Sequence, residues 1–190
     1  MSIVCAVKKN NEIAISCDTQ TNFGSLKVSS KHMVNSNKLY SINKSIIGIV
    51  GWSAISDMVE HLLKNDKKLF QLNDRMEIFS TLISLHEKMK DDYFIETQED
   101  DDQPVESNQL DALIVNNNGL FKIGSYREVS EYNTFCAIGS GRRLALGAIH
   151  SLYEMKLSAK QIAEAGVKAA TEFDDGCGLP LKTRVLKLKN

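Results

Sequence analysis

The second residue of the chain is a serine, directly behind a leading methionine. Removal of an initiator methionine favours a small residue at the second position, so Ser2 is a candidate for the mature N-terminus. A hydroxyl on the first residue of a chain carries a base with it. The α-amine has an unperturbed pKa of about 8, close to working pH, which suits a general base. A serine hydroxyl needs such a base before it can attack an amide carbonyl. On position alone, Ser2 reads more readily as an ordinary second residue than as a nucleophile. The other reactive residue types form no competing set. Cys5, Cys17, Cys136 and Cys177 make no CxxC pair and stand at no zinc-finger spacing from a histidine. Cys5, Cys17 and Cys136 lie in apolar runs and are expected as buried free thiols. His61, His86 and His150 fall on helical segments and His32 in a polar loop, so they offer no metal set. Attack by such an amine-activated hydroxyl needs no cofactor, and none is expected.

The elements that would position Ser2 begin at once. Ile3 to Val7 is apolar and β-prone, Lys8 to Asn11 is a turn signal, and Glu12 to Cys17 is apolar again, which predicts a hairpin. The leading residue is thereby tied into a sheet. Asp18 to Asn37 is polar and reads as a loop with short strand pieces. Lys38 to Ile42 and Ser45 to Val50 form a second strand pair. Apolar residues at helical spacing then predict helices over Ala54 to Phe70 and over Asn73 to Tyr93. Asn73 is the predicted N-cap of the second, and Met76, Phe79, Leu82, Ile83, Leu85, His86 and Met89 are assigned to its buried side. Glu96 to Gln109 is an acidic, solvated loop. Asp111 to Val115 and Leu120 to Gly124 flank an Asn-Gly hairpin turn, and Phe135 to Ile138 is a further strand. Helices follow over Arg143 to Met155 and from Ser158, which opens a capping box with Gln161, to about Phe173. A last strand, Thr183 to Leu188, is expected at a sheet edge or an interface face, given its alternating lysines. Strand runs separated by helix pairs predict an α+β layered sandwich in place of alternating βαβ units.

Several segments, in order, resemble proteasome β subunits and the peptidase subunit of the two-component bacterial ATP-dependent protease. They are Ser2-Ile3-Val4 through Ile15-Ser16-Cys17-Asp18-Thr19-Gln20-Thr21, then Gly24, Gly48-Ile49-Val50-Gly51, Ala137-Ile138-Gly139-Ser140-Gly141, and Ala169 to Asp174. The acidic loop and Ser125-Tyr126-Arg127-Glu128 look closest to the betaproteobacterial proteasome homologue. The resemblance covers nearly the whole chain. It implies a four-layer αββα sandwich of the N-terminal nucleophile hydrolase type, built as one proteasome-type domain over residues 1–190.

The resemblance also implies roles. Ser2 stands at the nucleophile position, Asp18 at the acidic position and Lys38 at the lysine position, behind a loop longer than the family's. A cationic Lys38 would stabilise the developing alkoxide and lower the amine pKa by like-charge repulsion. The Gly51 N–H is the candidate oxyanion donor. Ser140 and Asp174 fill accessory positions around the terminal amine, and Ser140 could also cap the helix after it. Where the family has a further serine this chain has Cys177, a weaker hydrogen-bonding group. Serine in place of the commoner threonine lacks the methyl that restricts the rotamer, so slower cleavage is expected.

A self-compartmentalising peptidase of stacked homo-oligomeric rings is what the resemblance implies. Protein or peptide substrates and an ATP-dependent unfoldase are the implied partners. The rival expectations are a catalytically silent ring used as a scaffold or binding chamber, and an amidohydrolase acting on a small amide. Bulk properties fit. The 190 residues suit one domain, 43% hydrophobic and 25% charged residues are ordinary for a globular chain, and a net charge of -1 argues against nucleic acid or an anionic membrane as partner. There is no signal peptide pattern and no apolar run near the roughly 20 residues a bilayer span needs, so a cytoplasmic location is expected.

Overall fold

A computed structural model describes residues 1–189. The chain opens as the hairpin its first residues dictate, β1 (Ile3–Lys9) against β2 (Glu12–Asp18), with Asn10 and Asn11 at the turn in left-handed conformation. The polar stretch that follows holds a small hairpin of β3 (Thr21–Phe23) and β4 (Leu26–Val28) and one turn of 3-10 helix at Ser30–His32. β5 (Leu39–Ile42) and β6 (Ser45–Val50) lead into helices α1 (Ser53–Asn65) and α2 (Arg75–Tyr93). After the acidic loop come β7 (Asp111–Val115), β8 (Leu120–Ile123), β9 (Val129–Tyr132) and β10 (Phe135–Gly139). Helices α3 (Arg142–Leu152) and α4 (Ala159–Phe173) and strand β11 (Leu181–Lys187) complete the chain.

Two antiparallel sheets make the frame, in the orders β10-β1-β2-β11 and β5-β6-β7-β8-β9. Alternation along β1 and β2 explains why four layers form. Val4, Ala6, Ile13, Ile15 and Cys17 face the second sheet, where they meet Leu39, Ile46, Val50, Leu113 and Val115. Ile3, Cys5, Val7 and Ala14 face the other way, into Ala145, Ile149, Ile162 and Val167 of α3 and α4. The outer face of the second sheet, with Ile47, Ile49, Ala112 and Ile114, is covered by Val59 and Leu62 of α1 and Ile78, Leu82 and Leu85 of α2. The order of layers is therefore α1/α2, sheet, sheet, α3/α4: the αββα sandwich anticipated from the sequence. Among the described residues no helix is long and apolar enough to cross a membrane.

Several boundaries differ from expectation for local reasons. α1 stops at Asn65, and Lys67–Leu69 form a separate 3-10 turn before Phe70 enters the core. The N-cap of α2 is Asp74, whose carboxylate accepts from the Met76 and Glu77 N–H groups. The Asn73 amide is instead spent on the Glu77 side chain. Met76, Phe79 and Ile83 lie exposed on α2, and Ile78, Thr81, Leu82, Leu85, His86 and Met89 supply the buried side. α3 starts one residue earlier and ends at Leu152. The capping box at Ser158 and Gln161 is present, and β11 is an edge strand against β2. All four cysteines are buried and free.

Candidate active site

Five strand ends converge on one point. β1 begins where β2 ends, so Ser2 lies beside Asp18. β10 runs antiparallel to β1 with Ile3 opposite Gly139, so Ser140 also stands at Ser2. β5 begins where β6 ends, bringing Lys38 and Gly51 to the same end of the facing sheet. The bond from the Ile49 N–H to the Lys38 carbonyl, at 3.0 Å, fixes Lys38 just ahead of its strand.

Asp18 is fully buried and organises the floor of the site. Its Oδ1 accepts from the Ile3 N–H at 3.0 Å and from Lys38 Nζ at 2.6 Å. Its Oδ2 accepts from the Gln20 and Gly178 N–H groups at 3.1 and 3.2 Å. A buried carboxylate is costly without such partners, and here both oxygens are in use. Lys38 Nζ donates in addition to the Gln20 carbonyl at 2.8 Å. The lysine is thus locked with its ammonium in the cavity that Ser2 and Gly51 also line.

On the other flank, the Ser2 N–H donates to Ser140 Oγ at 3.2 Å, and Ser140 Oγ donates to Asp174 Oδ1 at 3.0 Å. Asp174 is in turn held by the Gly176 N–H at 2.9 Å. Ser140 therefore does not cap α3. Gly141 takes that position without a side-chain bond, and the Ser140 hydroxyl is committed to the N-terminal residue and Asp174. Cys177 packs beside this pair, and burial first, then the charges of Asp18 and Asp174, push its thiol up to about 12. The neutral S–H is a weak donor toward Asp174.

Two glycines are required by geometry. Gly51 has a φ of +109° with open space where a side chain would stand, which leaves its N–H approachable from the cavity. Gly139 has a φ of +98°, and a Cβ there would sit 2.2 Å from the Ser2 carbonyl oxygen. Met1 lines the cavities on both sides of Ser2, and its carbonyl accepts from the Ser2 hydroxyl.

The structure thus gathers Ser2, Asp18, Lys38, Gly51, Ser140 and Asp174 at one end of the sandwich. His32 is exposed and is not among the residues lining either cavity beside Ser2. Sequence reasoning passed over the Gln20 carbonyl and the Gly178 N–H, which complete the Asp18–Lys38 pair. Backbone groups leave no residue-type signal.

Comparison with known proteins places this arrangement among relatives. The family model described as "Proteasome subunit" matches residues 2–182. The solved structure of Thiobacillus denitrificans BPH is 34% identical, covering 98% of each chain with a TM-score of 0.91. BPH from the same organism in complex with epoxomicin is 32% identical, covering 99% of this chain and 100% of that one with a TM-score of 0.90. The ATP-dependent protease subunit HslV of Rickettsia typhi is 29% identical over 176 residues, 90% of this chain and 87% of that protein.

Proposed function

The chain belongs to the proteasome subunit family, and from that premise we propose that it is a peptidase subunit whose nucleophile is Ser2, activated by its own α-amine once Met1 has been removed. The observation that carries this reading is the placement of Ser2 at the head of β1. There it lies between the Ser140–Asp174 pair, which holds its nitrogen, and the Asp18–Lys38 ion pair, whose lysine lines the same cavity.

The chemistry follows from that placement. The α-amine takes the proton of Ser2 Oγ as the oxygen attacks the substrate carbonyl carbon. The carbonyl oxygen gains the negative charge and is met by the Gly51 N–H. The Lys38 ammonium, paired with Asp18, lowers the energy of the serine alkoxide and disfavours a second positive charge on the neighbouring amine. Collapse of the tetrahedral intermediate breaks the C–N bond, and the ammonium returns its proton to the leaving amine. Water, deprotonated by the same amine, then hydrolyses the Ser2 ester. Ser140 and Asp174 orient the amine throughout.

The HslV relative is named as a subunit of an ATP-dependent protease. We extend that to this chain as assembly into stacked homo-oligomeric rings, with protein or peptide substrates delivered by an ATP-driven unfoldase. The silent-ring alternative turns on the state of residue 2: with Met1 attached, the Ser2 nitrogen is an amide and cannot act as the base. Assaying wild type and Ser2→Ala against unstructured peptides and simple amides separates the readings. Peptide cleavage by wild type alone supports the peptidase, cleavage of small amides alone supports the amidohydrolase, and equal activity of the two proteins excludes both.

A further inference from the structure

A peptidase of this design must also select the side chain next to the bond it cuts, and the two cavities flanking Ser2 differ in charge. One is lined by Ser140, Asp111, Lys122 and Arg142. It lies on the side of the Ser2 nitrogen, where the leaving amine must collect its proton. The other, of about 230 Å³, lies on the Lys38 side and reaches from Ser2 and Gly51 to α1. With the leaving amine on the nitrogen side, this cavity is left for the side chain of the residue that donates the attacked carbonyl.

Met33 and Ile49 line that second cavity together with the ring of Tyr40. Its lining holds one lysine and no arginine, and the lysine, Lys38, is already bound to Asp18 at 2.6 Å. It holds one carboxylate, Asp57 of α1, which is exposed and makes no ion pair among the described residues. Glu60, one turn further on, is bonded to Lys64 at 2.6 Å. Asp57 and Tyr40 line the same cavity, and burial first, then the charges of Glu60 and Asp57, push the Tyr40 phenol up to about 12. Asp57 is therefore the carboxylate at this end without a counter-charge, while the Lys38 charge near Ser2 is matched by Asp18.

We propose that this cavity takes a lysine or arginine side chain of the residue that contributes the scissile carbonyl, with Asp57 meeting its cationic head. The proposal rests on the peptidase reading. The aliphatic stem of either residue packs along Met33, Ile49 and Tyr40 while the head stays at the wetter, acidic end. A glutamate there brings a second negative charge against Asp57. A leucine leaves the Asp57 carboxylate partly stripped of water with nothing in exchange. Because Asp57 is exposed, solvent screening holds the preference to tens of fold and not thousands.

The test uses the assembled, Met1-processed protein and peptides identical except for Arg, Leu or Glu before the cleaved bond. The expected kcat/KM order is Arg above Leu by about tenfold, with Glu lowest. Asp57→Asn is expected to cut the Arg-to-Leu ratio by about tenfold, and Asp57→Lys to raise Glu above Arg. An Arg-to-Leu ratio of one or less in the wild type, or the same ratio in Asp57→Asn, overturns the proposal while cleavage of the Leu peptide leaves the peptidase standing. No cleavage of any peptide by wild type overturns both.

Discussion

At Asp18 the two carboxylate oxygens serve three backbone N–H groups and one ammonium, all from segments that come together only in the folded chain. Removing the carboxylate strands all four donors, so Asp18→Ala is expected to lose about 3–5 kcal/mol of stability, read as a large fall in the denaturant midpoint. Lys38→Met is expected to behave differently. Asp18 keeps its three N–H donors but loses its counter-charge while buried, so stability falls as well, and the positive charge beside Ser2 is gone. A loss of about 10²–10³ in kcat with little change in KM is the expected result, and a purely structural lysine would show its effect in stability alone. The acid and the lysine were legible in the sequence through their places in a family pattern. Their completion by the Gln20 carbonyl and Gly178 N–H was not, since backbone donors and acceptors belong to every residue and only the fold selects among them.

The strands act as positioning elements, and Gly139 shows how tightly. Its Cβ-free, positive-φ backbone lets β10 close on the Ser2 carbonyl. Gly139→Ala must move one of two backbones and adopt a conformation costing about 1–3 kcal/mol. The expected outcome is a lowered Tm together with a loss of activity larger than the stability change explains, because Ser2 itself is displaced. Strands with clear alternation, β1 and β2 above all, were legible because one face meets each neighbouring layer. β9 was missed: Val129-Ser130-Glu131-Tyr132 has exposed polar residues in its middle and pairs only as the sheet's edge. On α2 the apolar residues Met76, Phe79 and Ile83 repeat at helical spacing on a side that this chain leaves exposed. Periodicity identifies a stripe but not which stripe faces the sheet. The N-cap was misplaced by one residue because Asn73 and Asp74 are both good caps, and side-chain geometry decided between them.

In the molecule as a whole, four free thiols are buried in the sandwich, and their acidity is suppressed. Cys17 and Cys177 are each pushed up to about 12, chiefly by burial, and Cys5 and Cys136 are raised as well. The folded state therefore keeps protons that the unfolded chain releases near 9. This part of the stability is complete below about pH 9 and drains away as pH rises from there through 12. The expected result is slow alkylation of the native protein at pH 8, rapid modification of all four cysteines on unfolding, and a denaturation midpoint that falls above pH 9. A layered α+β sandwich could be read from the order of strand runs and helix pairs, and its four-layer αββα form from the family resemblance. The Cys177 contact with the Ser140–Asp174 pair could not, because it depends on how the segment after α4 folds back under the N-terminus. The whole account turns on a free amine and a hydroxyl sharing residue 2. Top-down mass spectrometry of the native protein, on the same sample that is assayed for peptide cleavage, tests it most directly. The account predicts that the cleaving fraction begins at Ser2 with an unmodified α-amine; cleavage by protein that still carries Met1 would contradict it.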